Sequence, residues 1–511
     1  MGLAAPHLLP FLEQLRSSQR AQEVLAKEMP RHFVSPAHPA TWFLPGYAAY
    51  VLAPTNPRAF GRPFHDEFRG PFDWLDAASG YAGLVAFAGS LVAVAAVRRR
   101  RAWPFLGFAL ASLLLVAQAL PLAHLVYAVP PLRAPAYSRF LPVACLALAV
   151  AGALGVDRLL SRRGGRLAPA LALAAAAAVS LWQNAEPWVL ALWVLLAAAA
   201  LAGRYRPRWG AAGLALVLLL DLVPWAEDFL PASHPALFYP PSQLLAALRR
   251  QTAEGGPWRA AGEGQTVFPS LLPVYGIAEL RTHNPLAPAP YLRVLRAAFG
   301  FAPAGNNYFP ALHGLEHPLL DFLNVRYVLW SSPDPVPGHF ERVDDGGAPP
   351  FRLYRNPRAL PRWFVPAAVD VIRPGDLERW LAALGDGRRV AVFAEEPVGE
   401  WARQPPREAG VRALAVRPGR IALEVATPRP TLVATSLHSF AGWHAAAVPP
   451  GGPRRSLPTV LVDGAFLGVV VPAGTTRVEL RYVPPGLVAG LWLCGLALLA
   501  CGALLVRGRR A

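Results

Sequence analysis

A few groups of residues in this 511-residue chain have types and spacings that could do chemistry. Arg133 and Arg139 stand six apart in PPLRAPAYSRF, and a guanidinium offers bidentate hydrogen bonds to a phosphate. The bland alternative is snorkelling of a long basic side chain at an interface. Asp66 and Glu67, followed by Asp73 and Asp76 in HDEFRGPFDWLD, are candidates for a general base that takes a proton from a hydroxyl. Arg62 and Arg69 beside them could equally pair with these carboxylates. His313-Gly-Leu-Glu316-His317 has the H-x-x-E-H spacing of one class of zinc enzyme. That chemistry needs both histidines on one helical face, and Gly314 and Pro318 oppose a helix there, so no metal site is expected. Trp443 with His444 is a candidate glycan contact, although a Trp between strands is more often core. The glycine-rich stretches match neither a P-loop nor a dinucleotide fingerprint, and no cofactor follows from them; a divalent cation stays open.

These residues are held by a chain that reads as a membrane protein. Only 16% of residues are charged, against about a quarter in soluble proteins, and the mean hydropathy is +0.32. The net charge of +17 does not indicate a nucleic-acid face. Most of it lies in four short clusters that flank apolar runs: Arg98–Arg101; Arg158 to Arg166; Arg204 to Arg208; and Arg507 to Arg510. That is topology signalling. Asp221, inside the apolar run Leu214–Trp225, is placed near a helix end, where it would reach interfacial water. Cys145, Cys494 and Cys501 all fall within apolar runs, and no disulfide framework follows.

The sequence predicts about seven transmembrane helices, over roughly 81–97, 103–121, 140–156, 167–184, 187–203, 209–226 and 485–506. The basic clusters place the large C-terminal region outside the cytoplasm and the C-terminal tail inside. The organisation is then an extracytoplasmic loop and helix end over 1–80 and a six-helix region over 81–226. An extracytoplasmic α/β region over 227–400 and a β-sandwich over 401–484 follow, and the last helix with its basic tail closes the chain over 485–511. Period-two alternation over 411–416, 420–426, 431–436, 459–462, 466–471 and 476–482 carries the sandwich. Helical patterns at 242–251 and 291–298 and strands at 325–330 and 351–354 carry the α/β region.

Several phrases resemble the YfhO family of bacterial multi-pass membrane proteins, which is related to the lipid-dependent GT-C glycosyltransferases. They are AAPHLLPFLEQLRSSQR (4–20), VPPLRAPAYSRFLPVACLALAVAGALG (129–155), PVYGIAELRTHNPL (273–286), LLDFLNVRYVLW (319–330), YRNPRALPRWFV (354–365) and SFAGWHAAAV…RYVPPG (439–486). They occur in the family's order across nearly the whole chain. In that family several more helices precede the matching region, and in GT-C enzymes the first extracytoplasmic loop supplies the catalytic carboxylate. The chain therefore resembles the C-terminal part of such a protein.

The resemblance implies a protein of the bacterial cytoplasmic membrane that assembles cell-envelope glycan or glycolipid. Arg133 and Arg139 would hold the phosphate of a polyprenyl-phosphate sugar donor, and Asp66 or Glu67 would activate a glycolipid or polymer acceptor. The alternative is a non-catalytic, truncated relative that acts as a membrane scaffold or glycan-binding partner. Membrane lipids are partners on either reading; nucleic acid is not.

Overall fold

The computed structural model of the chain describes residues 2–19, 21, 82–97, 99–116, 125–126, 128–129, 140–161, 167–183, 187–229, 234, 239–240, 242–253, 256–282, 284, 286–302, 310–343, 350–396, 398–403, 406, 408–449 and 452–510. The chain divides into two compact units, Met1–Ala26 with Pro240–Ala511, and Lys27–Tyr239. Helix α1 (Ala5–Ser17) belongs to the first.

The Lys27–Tyr239 unit holds α2 (Leu84–Ala96), α3 (Arg99–Val116), α4 (Leu141–Leu160), α5 (Leu167–Gln183), α6 (Pro187–Tyr205) and α7 (Pro207–Phe229). Apolar side chains surround most of these helices, so their specificity comes from close backbone approach between small residues. A Cβ on Gly155 would lie 1.8 Å from the Gly89 carbonyl oxygen, and one on Gly152 2.7 Å from that of Ala86. Ser90 Oγ donates to the Leu148 carbonyl at 2.9 Å across the same α2–α4 seam. Asp221 corrects an expectation. It is 3% exposed rather than at interfacial water, and its Oδ2 accepts the Leu84 N–H at 2.7 Å. It thereby satisfies a free donor and the positive dipole at the start of α2.

Helices form where spans are expected, but the count of seven is not reached among the described residues. Three stretches are long and apolar enough to cross a membrane: Pro142–Leu160, Pro187–Tyr205 and Leu487–Arg507. Leu84–Ala96 and Leu167–Ala178 are shorter apolar helices. The 13 residues of α2 rise only ~20 Å, and α3 begins with the charged run Arg99–Arg101.

The other unit is built on three sheets. The first has the order β2-β1-β3-β5-β4. Its strands are β1 (Arg259–Gly262), β2 (Ala278–Glu279), β3 (Val325–Trp330), β4 (Glu341–Val343) and β5 (Arg352–Arg355). β1 runs parallel to β2 and β3, and the rest is antiparallel. Helices α8 (Gln243–Ala253), α9 (Ala289–Phe299) and α10 (Leu319–Phe322) accompany it, as the mixed helical and strand pattern predicts. β3 is buried on both faces: Tyr327 and Leu329 enter one core, and Val325 and Val328 another.

The second sheet has the order β6-β11-β15-β14-β8-β7, and the third β13-β12-β16-β10-β9. They comprise β6 (Trp363–Phe364), β7 (Ala368–Ile372), β8 (Arg389–Phe393), β9 (Gly410–Arg417), β10 (Arg420–Thr427), β11 (Thr431–His438), β12 (Trp443–Ala447), β13 (Arg455–Leu457), β14 (Thr459–Val462), β15 (Phe466–Val471) and β16 (Gly474–Tyr482). α11 (Leu377–Ala382) and α12 (Glu400–Arg403) lie within this region, and α13 (Leu487–Arg510) follows it. Leu423, Val433, Val469 and Val478 share a core between the two sheets, which makes them a β-sandwich. The second sheet is also buried on its other face, where Leu432, Ala434, Val462 and Phe466 meet Val325, Leu295 and Phe322. It draws β6, β7 and β8 from before residue 400, so the α/β region and the sandwich share one sheet. The β14–β15 turn carries Asp463 in the left-handed region, with φ 48. Its Oδ1 accepts the Ala391 N–H at 2.7 Å, and full burial pushes its carboxyl up to about 8.

The phrase PVYGIAELRTHNPL places a buried ion pair beside β2. Arg281 Nη1 and Nη2 donate to the carbonyls of Gly264 and Val267 at 2.9 and 2.6 Å. Its Nε lies 3.9 Å from Glu279 Oε1, and burial pushes the Glu279 carboxyl up to about 7. Removing one partner leaves the other charge buried alone, so Arg281→Leu is expected to cost ~3–5 kcal/mol. Arg281→Leu combined with Glu279→Leu should cost less than the sum of the two single changes. Chemical unfolding of the four proteins measures this, and strict additivity would refute the coupling.

Candidate functional site

A cavity of about 800 Å³ lies between α1, the end of the sandwich and the foot of α13. Its position follows from helix packing. A Cβ on Gly490 would lie 2.6 Å from the Ala5 carbonyl oxygen, and one on Gly486 2.9 Å from Leu9 Cβ. In the turn just before α1, a Cβ on Gly2 would lie 2.7 Å from Ala497 Cβ. Gly486, just before α13, and Gly490, in its first turn, carry no side chain to hold α1 away, and α1 lies directly against them. Cys494 Sγ donates to the Leu3 carbonyl at 3.6 Å along the same seam. Beyond the seam α1 runs out to Ser18, whose backbone bridges to Pro288.

The cavity wall is mainly apolar, with Leu8 and Phe11 from α1 facing Phe440, Pro484 and Pro485. The polar groups include His7, Glu13 and Gln14 on one side and His438 and Tyr482 on the other. Such a wall, with a few polar groups, suits a largely apolar ligand with one polar end. His438 stacks on Phe440, with ring centroids 4.4 Å apart at 12°. The adjacent Ser439 N–H is directed away from the ring, to the Ala465 carbonyl at 2.9 Å. Burial lowers the His438 pKa to about 4, so the imidazole is neutral near pH 7. The carboxylate of Glu13 is 46% exposed and pairs with Arg16 at 3.2 Å.

Arg133, Arg139, Asp66 and Glu67 lie outside the described residues, as do Asp73 and Asp76. Trp443 and His444 are described and are not brought together. Successive residues of a strand point to opposite faces. Trp443 packs inward, its ring 5.3 Å from that of Tyr482 and against the sandwich core. His444 points outward into a second cavity, bounded by Arg417, Arg420 and Arg481. His313 and His317 are also separated by chemistry. His313 Nδ1 lies 3.9 Å from Glu263 Oε1. His317 Nδ1 accepts the Leu319 N–H at 3.1 Å, which leaves Nε2 to donate to the Leu381 carbonyl at 3.0 Å. Gly314, at φ +68, interrupts the chain between them. Among the described residues no group of three or more His, Cys, Asp or Glu could hold a metal ion.

The sequence reading missed His438, because nothing in TSLHSF marks a histidine as desolvated. It also missed the cavity, which needs residues 4–17 and 482–485 brought together across the length of the chain.

Two outcomes test this geometry. Gly490→Val places branched carbons where α1 now lies, so limited proteolysis should release residues 1–19 from the variant and spare the parent. Unchanged protection would contradict the seam. For His438 the folded pKa is depressed below the ordinary value of ~6.5. Its stabilising contribution is therefore complete above pH 6.5 and is lost as pH falls towards 4. His438→Gln should remove on the order of 1–3 kcal/mol of the acid sensitivity between pH 7 and 4.5. Melting curves at the two pH values measure it, and equal acid losses in both proteins would count against a desolvated imidazole. No family model, curated protein or solved structure matches the chain.

Proposed function

We propose that the chain is a membrane-anchored protein of extracytoplasmic glycan or glycolipid assembly, with a lipid-linked sugar or glycolipid held in the cavity beneath the sandwich. The observation that carries this reading is the roughly 800 Å³ cavity, apolar along Leu8, Phe11, Pro484 and Pro485 and polar at His7, Gln14 and His438. It opens at the foot of a helix long and apolar enough to span a bilayer. An isoprenoid or acyl chain would lie along the apolar wall, and the polar groups would meet the head of the same molecule.

The resemblance to the YfhO family and the alternation of basic clusters support this reading. They favour a bacterial cytoplasmic membrane, an extracytoplasmic sandwich and a cytoplasmic C-terminus. On the full catalytic version, Arg133 and Arg139 bind the donor phosphate, and Asp66 or Glu67 serves as base. The second reading, binding without transfer, is favoured by Glu13, the only carboxylate in the cavity wall among the described residues. Its carboxylate is 46% exposed and engaged by Arg16 at 3.2 Å, whereas a general base must be within hydrogen-bond reach of the proton it takes.

The experiment uses the full chain in nanodiscs with a benzophenone-bearing polyprenyl phosphate. Photolabel is expected on peptides covering 5–17 and 438–441, displaced by unlabelled polyprenyl phosphate. Labelling that is absent, or unaffected by the competitor, would refute the binding reading. With a labelled polyprenyl-phosphate sugar, transfer to a glycolipid acceptor supports the enzyme, and binding without transfer supports the scaffold.

A further inference from the structure

The second cavity marks a different kind of site. β9, β10, β16 and β12 are neighbours in the third sheet, and their registers align Arg417 with Arg420, Arg420 with Arg481, and Arg481 with His444. One cross-strand row therefore carries three guanidiniums and an imidazole, all exposed. Like charges directly opposite one another in a sheet are destabilising. The β9–β10 turn, Pro418-Gly419 with Gly419 at φ +68, fixes the first of these oppositions.

The next row on the same face is Ala415, Ala422, Glu479 and Ala446. Three small side chains leave a hollow of about 440 Å³ beside the basic row. The acids of this face are already engaged. Glu479 pairs with Arg454 and with Arg477, and Glu424 pairs with Arg412 at 2.6 Å. Arg417, Arg420 and Arg481 make no ion pair among the described residues. Arg412, Arg454 and Arg477, farther from α13, thus each have an acid beside them, whereas the row next to α13 has none, since Arg481 stands six residues before Leu487, the first residue of α13.

We propose that this row is a binding site for the phosphate-bearing headgroups of anionic lipids in the leaflet from which α13 enters the membrane. Guanidiniums are suited to phosphate oxygens. An anion between the arginines relieves their mutual repulsion, and the alanine hollow gives its oxygens room. The position favours a lipid over a soluble anion, because basic side chains beside a span lie within the surface potential of anionic lipids. Lipid binding here would fix how the sandwich rests on the bilayer.

The test uses the full chain in phosphatidylcholine nanodiscs with and without phosphatidylglycerol, read by thermal unfolding and by native mass spectrometry of retained lipid. Phosphatidylglycerol is expected to raise the melting temperature of the parent and to remain bound. Arg417→Gln, Arg420→Gln and Arg481→Gln together should weaken retention at least about tenfold. In pure phosphatidylcholine this triple variant should melt no lower than the parent, because it has lost like-charge contacts. Arg420→Gln alone, which changes only the central residue, should show a smaller loss in the same direction. Arg412→Gln, on the same face but ion-paired, should leave retention unchanged. Undiminished phosphatidylglycerol binding by the triple and single variants would overturn the proposal, as would an equal loss in Arg412→Gln. If inorganic phosphate protects the parent in lipid-free detergent as well as phosphatidylglycerol does, the row serves a soluble anion and the lipid assignment is wrong.

Discussion

The junction of β16 with α13 is the constraint on which the rest of this unit depends. Only Val483, Pro484, Pro485 and Gly486 separate the last strand residue, Tyr482, from the first helical residue, Leu487. Two consecutive prolines restrict the backbone there. Three backbone donors around them are tied down: Tyr482 N–H donates to Gly419, Val483 N–H to Gly442 and Leu487 N–H to Pro484. Gly442 admits this closure because a Cβ there would lie 2.2 Å from the Val483 carbonyl oxygen. A strand that passes so directly into a long apolar helix cannot swing freely, so one end of the sandwich is held at the start of that helix. The α1 seam along Gly486 and Gly490, and the cavity that α1 closes, both follow from it.

The second sheet plays the complementary part, because its central strands β11 and β15 are buried on both faces. Its inward residues on one side belong to the sandwich, and those on the other meet α9, α10 and β3. Burial on both faces makes the assembly cohere without a boundary near residue 400. Arg259 shows how the polar groups in the joint are satisfied. Its Nη1 donates to the Leu323 carbonyl at 2.9 Å and to Ser436 Oγ at 3.0 Å, and its Nη2 to the Ser436 carbonyl at 2.9 Å. These bonds join the start of β1 to β11, and full burial lowers the Arg259 pKa. Buried guanidinium is tolerable where oxygen acceptors replace water.

What was legible in the sequence tracks the range of the interaction that decides each feature. Strand β3 and the strand pairs around 411–426 and 459–471 are set by local alternation and turn residues, and they form where the pattern predicts. The limits of the helices were less legible: an apolar run marks a helix but not how many of its residues stay helical, and α2 stops at 13. Asp221 was misread because its partner, the Leu84 N–H, is 137 residues away. The basic row was invisible for the same reason: Arg417 and Arg420 are close in sequence, but Arg481 and His444 join them only through strand pairing. A charge count that assigns most of the net charge to four basic clusters cannot separate ion-paired Arg412 and Arg454 from the arginines that have no acid beside them.

Strand alternation also explains how one short segment can serve two chemically opposed surfaces. On β16, Tyr482 contributes to the apolar cavity and Arg481 to the basic hollow. On β12, their cross-strand partners Trp443 and His444 divide in the same way, Trp443 packing on Tyr482 and His444 lying beside Arg481. The two faces therefore cannot exchange roles through a small adjustment, because a one-residue slip in register would turn every arginine inward and every aromatic outward. The aromatic pair buries the inner face strongly enough to set that register, and the arginines opposite one another on the outer face are its consequence. Their repulsion is borne by the sandwich core, which leaves the positive row fixed in place beside the helix that follows it.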